Sequence, residues 1–251
     1  RRRLGCAGGP GCCILHRMDI PASPFRGDAG GTGDLTTALL TAAVWLVVGA
    51  LVGFGIRRLN VWLYRKEELE YGSERWQVWG PPILAAVLFA AFGYHFGPLP
   101  VLLIQSLWVA VMVEVIFCDL EHRLILDRVM FPSMAVAIAL SFFTPNLGVV
   151  QSVLTGLGAG LLFLVLALVG SYFFGADALG FGDVKLVAFI GLIVGIHLNA
   201  IVTALFLGVV FAGVVSLSLV AARKLTMKSG IPYGPFLAAG ALVVLYQLGP
   251  K

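Results

Sequence analysis

The sequence predicts an all-α, polytopic membrane bundle of about eight transmembrane helices, and three observations carry that prediction. Of the 251 residues, 59% are hydrophobic and only 12% are charged, where a soluble domain is nearer a quarter charged. Apolar runs of membrane-crossing or nearly membrane-crossing length recur along the chain. Finally, Lys and Arg gather in every second joint between those runs, as expected when alternate loops face the cytoplasm.

Residues 1–35 are rich in Gly, Pro and Arg, have no apolar period, and are expected to be a disordered or non-native tail. Arg1–Arg17 precede the first methionine, Met18, which is a candidate start. The tail has no apolar stretch of the kind a cleavable signal peptide needs. Residues 36–98 read as N-terminal helices with a short first cytoplasmic loop, and residues 99–251 as the functional core.

The apolar runs fall at about 36–56, 82–97, 99–118, 129–143, 149–174, 184–197, 199–222 and 231–248. The second, fourth and sixth are short for a full crossing. The joints at Gly97-Pro98, Thr144-Pro145-Asn146 and His197-Leu198-Asn199 carry no Lys or Arg. The alternate joints carry Arg57, Arg58, Arg65, Lys66 and Arg75, then Arg123 and Arg128, then Lys185, then Arg223, Lys224 and Lys228. By the positive-inside rule these loops are cytoplasmic and both termini lie outside. Arg1–Arg3, Arg17 and Arg26 run against that orientation.

The net charge of +4 is no argument for nucleic acid, because the basic residues mark inter-helix joints. Cys6, Cys12, Cys13 and Cys118 contain no CxxC pair, so neither a zinc site nor a disulfide framework is expected. His122 and His197 have no metal-ligand spacing to another His. Ser106 and Ser171 have no matching His/Asp arrangement for serine-protease chemistry. No metal or other cofactor is expected. Glycine spacings such as Gly156/Gly160 and Gly191/Gly195 are read as helix packing.

Chemistry is sought among the 13 carboxylates. Glu67, Glu68, Glu70 and Glu74 read as a solvated face of the first loop, and Asp19, Asp28 and Asp34 belong to the tail. Glu114, Asp119, Glu121, Asp127, Asp177 and Asp183 cluster near the ends of the third to sixth runs. A charged Asp at a bilayer centre costs on the order of 2.5–3.5 kcal/mol; at a helix end it can reach water. Either Asp119 or Asp183 alone would pass for such an end residue. As a pair facing one compartment they could share a proton, one serving as base while the other stays protonated. Such a pair can activate water for attack on a peptide carbonyl and protonate the departing amine. Glu114 is the deepest acid and is not assigned a catalytic role.

The segment Gly180-Phe181-Gly182-Asp183-Val184-Lys185-Leu186 resembles the GxGD signature of the type IV prepilin peptidases, membrane aspartyl proteases that trim pilin and pseudopilin precursors. Cys118-Asp119-Leu120-Glu121-His122-Arg123-Leu124-Ile125-Leu126-Asp127 is similar to that family's first aspartate motif, and Ile231-Pro232-Tyr233-Gly234-Pro235-Phe236-Leu237-Ala238 to its C-terminal I-P-(F/Y)-G-P-F-L-A segment. Gly49 to Arg65 faintly echoes a further stretch near the family's N-terminus. The resemblance implies Asp119 and Asp183 as catalytic residues, with Gly180, Gly182, Lys185 and Asp127 in support. The two glycines would allow positive φ or close backbone approach, and Lys185 a carboxylate or lipid phosphate partner. A second GxGD, Gly31-Thr32-Gly33-Asp34, lacks a preceding apolar run and the following Lys, and is assigned to the tail.

Two departures from the family pattern are visible. Leu126 stands where Pro is usual, which puts the turn geometry in question. The first cytoplasmic loop is short and has no cysteine, whereas many members carry two CxxC pairs there, linked to N-methylation. The resemblance therefore implies a prepilin leader peptidase of the bacterial inner membrane, active at the cytoplasmic face, with N-methylation absent or independent of that loop. Its partners would be a prepilin or pseudopilin and the lipid bilayer. The residues that bind substrate are not identified. A proton-coupled transporter, an inactive pilin-assembly scaffold and an intramembrane GxGD protease of another kind are the rival readings.

Overall fold

The computed structural model describes residues 33–70, 72–143, 148–174, 180–195, 198–222 and 232–248, and these form eight α-helices and no strand. The helices are α1 (Gly33–Lys66), α2 (Arg75–Phe96), α3 (Pro100–His122), α4 (Asp127–Leu140), α5 (Val149–Phe174), α6 (Phe181–Val194), α7 (Leu198–Ala221) and α8 (Gly234–Gln247). Five, namely α1, α2, α3, α5 and α7, are long and apolar enough to cross a membrane. At 1.5 Å per residue the 14-residue α4, α6 and α8 are about 21 Å long, short of a hydrocarbon core of about 30 Å.

The eight apolar runs thus correspond to eight helices, with shifted limits. α1 begins at Gly33, inside the stretch assigned to the tail, and continues to Lys66. Arg57, Arg58 and Arg65 therefore stand on helix rather than in a joint. α2 is longer than its run because it carries Pro81 and Pro82 inside it. Residues 1–32 lie outside the described residues, as do the joints 144–147, 175–179, 196–197 and 223–231.

The helices differ in burial. α3 and α6 form the interior: Met112, Val113, Leu186, Val187, Phe189 and Ile190 are fully buried. Leucines and valines of α1, α5 and α7 face outward, as a membrane-embedded surface would.

Glycines set the closest helix approaches. A Cβ on Gly53 would lie 2.4 Å from Pro82 Cα, so α1 and α2 touch backbone to backbone. Gly191 on α6 meets the Thr155 carbonyl of α5 at 2.8 Å, and Gly240 on α8 meets the Ala204 carbonyl of α7 at 2.2 Å, both measured from an added Cβ. The packing role expected for Gly156, Gly160 and Gly191 is what the structure has, and Gly208 likewise packs on Leu237 of α8. Gly158 and Gly213 face open space, and Gly195 ends α6 with φ +71°.

Candidate active site

At one end of the bundle the C-terminal turn of α3 meets the N-terminus of α8, with the N-terminus of α6 within electrostatic reach. α3 ends because Arg123 turns into the left-handed region (φ 53°, ψ 36°), its N–H closing on the Asp119 carbonyl at 2.8 Å. That leaves Asp119 in the last full turn, 5% exposed. α8 starts at Gly234, with Pro235 behind it. The first backbone N–H groups of a helix have no partner within it, and the Gly234 N–H donates to Asp119 Oδ2 at 3.1 Å. A Cβ at position 234 would stand 2.7 Å from that same oxygen. Only a glycine lets the carboxylate come this close to the backbone.

Asp183 takes the third position of α6 and is 8% exposed. From there its carboxylate turns back to the Gly180 backbone N–H, as an acid at that position of a capped helix does. Both carboxylates are therefore held at helix N-termini, where partial positive charge stabilises an anion. Asp119 and Asp183 lie within electrostatic reach of each other, and Arg123 within reach of Asp119.

The α3–α4 corner closes the site. Gly182 abuts Ile125, whose Cβ would be 3.0 Å from an added Cβ. Lys185 is paired with Asp127 across the same junction, and its ammonium also lies over the rings of Phe131 and Phe181, 5.4 and 5.7 Å from their centroids. Of the two uses expected for Gly180 and Gly182, close approach is the one realised. Gly180 has φ −70° and the positive-φ glycines among the described residues are Gly97 and Gly195. Leu126, in place of the usual Pro, has φ −69°, a value a proline would impose. Its buried side chain packs with Leu63, Tyr64 and Cys118. Packing thus holds the turn that a ring would otherwise hold.

Other sequence candidates are placed elsewhere. Glu114 is buried with Oε1 unpartnered. Glu121 pairs with Arg57 of α1 at 3.5 Å. Of the first-loop acids, Glu67 pairs with Arg128 at 2.7 Å, and Glu74 caps α2 in a reciprocal capping box with Gln77. Ser106 Oγ donates to the Leu102 carbonyl and accepts from Trp45 Nε1, joining α3 to α1, while Ser171 donates to the Leu168 carbonyl of its own helix. Among the described residues no group of three His, Cys, Asp or Glu is set to hold a metal. Asp177, His197 and Gly31–Thr32 of the second GxGD lie outside the described residues. Sequence reasoning quoted Gly234 within a motif but gave it no role. The signal was there in Pro235, a residue favoured in the first turn of a helix, which leaves the N–H of the preceding Gly234 needing an acceptor.

Residues 103–217 match the type IV leader peptidase family. The matched stretch holds Asp119, Asp127, Gly180, Gly182, Asp183 and Lys185, and leaves out α1, α2 and α8. A prepilin leader peptidase/N-methyltransferase of Bacillus subtilis (strain 168) is 28% identical over 162 residues, covering 64% of this chain and 62% of that protein. One from Dichelobacter nodosus is 28% identical over 177 residues, covering 66% of this chain and 57% of the relative. The chain thus spans about three-fifths of the length of the curated relatives it matches. No solved structure matches it. The similarity to type IV prepilin peptidases expected from the motifs is borne out.

Proposed function

We propose that this protein is an aspartyl endopeptidase that removes the short basic leader of type IV prepilins or pseudopilins at the cytoplasmic face of a bacterial inner membrane. The observation that carries the reading is that Asp119 and Asp183, two buried carboxylates on different helices, lie within electrostatic reach of each other at one end of the bundle. The family match, which includes both, supports it. The relatives' names also include N-methyltransferase; the proposal for this chain is confined to hydrolysis.

In this reading one carboxylate of the pair is ionised and the other carries a proton. The ionised carboxylate takes a proton from a water, whose oxygen attacks the scissile carbonyl. The resulting tetrahedral species collapses as the C–N bond breaks, and the protonated carboxyl gives its proton to the leaving amine. The products are the leader with a new carboxylate and a pilin with a new amino terminus. The N–H of Gly234 holds the Asp119 carboxylate against the start of α8, and the Gly180 N–H holds that of Asp183 at the start of α6. The substrate's apolar helix would lie against the bundle, with its basic leader on the cytosolic side and the cut after the leader's terminal Gly.

The test is co-expression with a prepilin reporter, with leader removal read by gel shift and N-terminal sequencing. Cleavage after the leader glycine is the expected result. A chain that is folded in the membrane and cleaves no prepilin or pseudopilin would remove the proposal.

A further inference from the structure

On the side of α3 turned away from Asp183 lies a polar seam that the reaction above does not use. Arg57, Asn60 and Tyr64 recur at helical spacing along α1. Arg57 and Tyr64 face Cys118, Glu121 and His122 of α3, since residues three and four apart share a helix face. Asn60 is 1% exposed, Tyr64 0% and Cys118 1%. The Arg57 guanidinium reaches Glu121 at 3.5 Å, with its side chain 14% and that of Glu121 2% exposed. Its second amino group donates to the Gly72 carbonyl in the first loop. The Tyr64 ring meets His122 edge-on at 4.4 Å, and its hydroxyl faces Cys118 and Glu121 without a well-formed hydrogen bond. Leu69 of the same loop donates its N–H to the Tyr64 carbonyl at 2.9 Å.

A buried ion pair is costly to desolvate and adds little net stability, but removing one partner strands the other. Such pairs can serve to fix one arrangement out of several. Here the fixed element is the turn that carries Asp119, since Glu121 is two residues further along it. That turn is gripped from both sides, by Gly234 of α8 and by Arg57 and Tyr64 of α1.

We infer that Arg57 and Glu121 are positioning residues, through which α1 sets the place of Asp119 relative to Asp183. This rests on the proposed function for its catalytic readout, but its structural readout stands apart. α1, outside the stretch that matches the family, would thus be part of the working site. The seam supplies the leverage: a misplacement of about 1 Å can cost about a hundredfold in rate.

The experiment has two arms on the full chain in detergent or membranes. In the first, Arg57→Gln and Glu121→Gln are expected to lower kcat on a prepilin reporter by about 10- to 100-fold with KM within about twofold. Arg57→Lys should retain more activity than Arg57→Gln, and Arg57→Glu combined with Glu121→Arg should recover activity over either charge-reversed single variant. In the second arm, with Cys6, Cys12, Cys13 and Cys118 replaced by Ala, Asp119→Cys and Asp183→Cys are cross-linked by oxidation. Adding Arg57→Gln should slow the cross-link several-fold. Unchanged kcat together with an unchanged cross-linking rate would overturn the inference while leaving the aspartate pair intact. A slowed cross-link, where the parent chain with both aspartates intact cleaves no prepilin, would sustain the positioning role and refute the proposed function instead.

Discussion

The Gly234 backbone N–H donates to the Asp119 carboxylate at 3.1 Å, across 115 positions of sequence. The donor is a free N–H at the start of α8, and a side chain at 234 would collide with the oxygen it serves. Gly234→Ala is therefore expected to push the Asp119 carboxylate aside. Leader cleavage should fall at least about tenfold, in keeping with the cost of sub-ångström to ångström displacements, while the variant still folds. Cleavage kinetics alongside thermal unfolding in detergent check this; full activity in Gly234→Ala would show that the contact is dispensable.

Gly182 presents a second tight approach, toward Ile125. An added methyl there would press on the α3–α4 corner at 3.0–3.3 Å. Gly182→Ala should reduce activity, and Ile125→Val in the same chain should recover part of it by removing one methyl from the contact. Activity assays of the single and double variants form the cycle. Simple additivity would mean that the two residues do not act through each other.

Lys185 and Asp127 are a partly exposed pair, with side chains 22% and 55% accessible. Exposed pairs contribute roughly 0–1 kcal/mol, so Asp127→Asn and Lys185→Met are expected to leave thermal stability nearly unchanged. Their effect should appear in cleavage, as a few-fold loss. Exchanging the two residues should restore it if the pair clamps the corner, and should fail to if Lys185 acts on substrate.

The glycines of α5 and α6 offer a contrast free of catalysis. Gly191→Ala places a methyl 2.8 Å from a backbone carbonyl of α5, and overpacking of this kind costs typically about 1–3 kcal/mol. Gly158→Ala meets nothing within 4 Å and replaces a poor helix former by the best one. Melting in detergent should drop for the first and hold or rise for the second.

Helix number was legible in the sequence because apolar runs separated by charged or Gly/Pro joints are imposed by the bilayer itself. The start of α2 was not. Its apolar run was placed from residue 82, yet the helix starts at Arg75, with Pro81 and Pro82 inside it packed backbone to backbone on Gly53 of α1. The two aspartates and the Gly-rich entry to α6 were legible because their residue types are costly or permissive at a membrane edge. The Arg57–Glu121 pair was hidden for the converse reason. An arginine after an apolar run reads as a loop marker by the positive-inside rule, and only the extension of α1 to Lys66 turns it inward onto α3.

The central claim is that Asp119 and Asp183 act as one catalytic pair. The direct measurement is leader cleavage by Asp119→Asn and Asp183→Asn, each shown to be folded and membrane-inserted, against the parent chain. Asparagine keeps the shape and cannot accept the water's proton, so both variants should be inactive within detection, and the double variant no worse than either. Cleavage by either single variant at a rate near that of the parent would contradict the account.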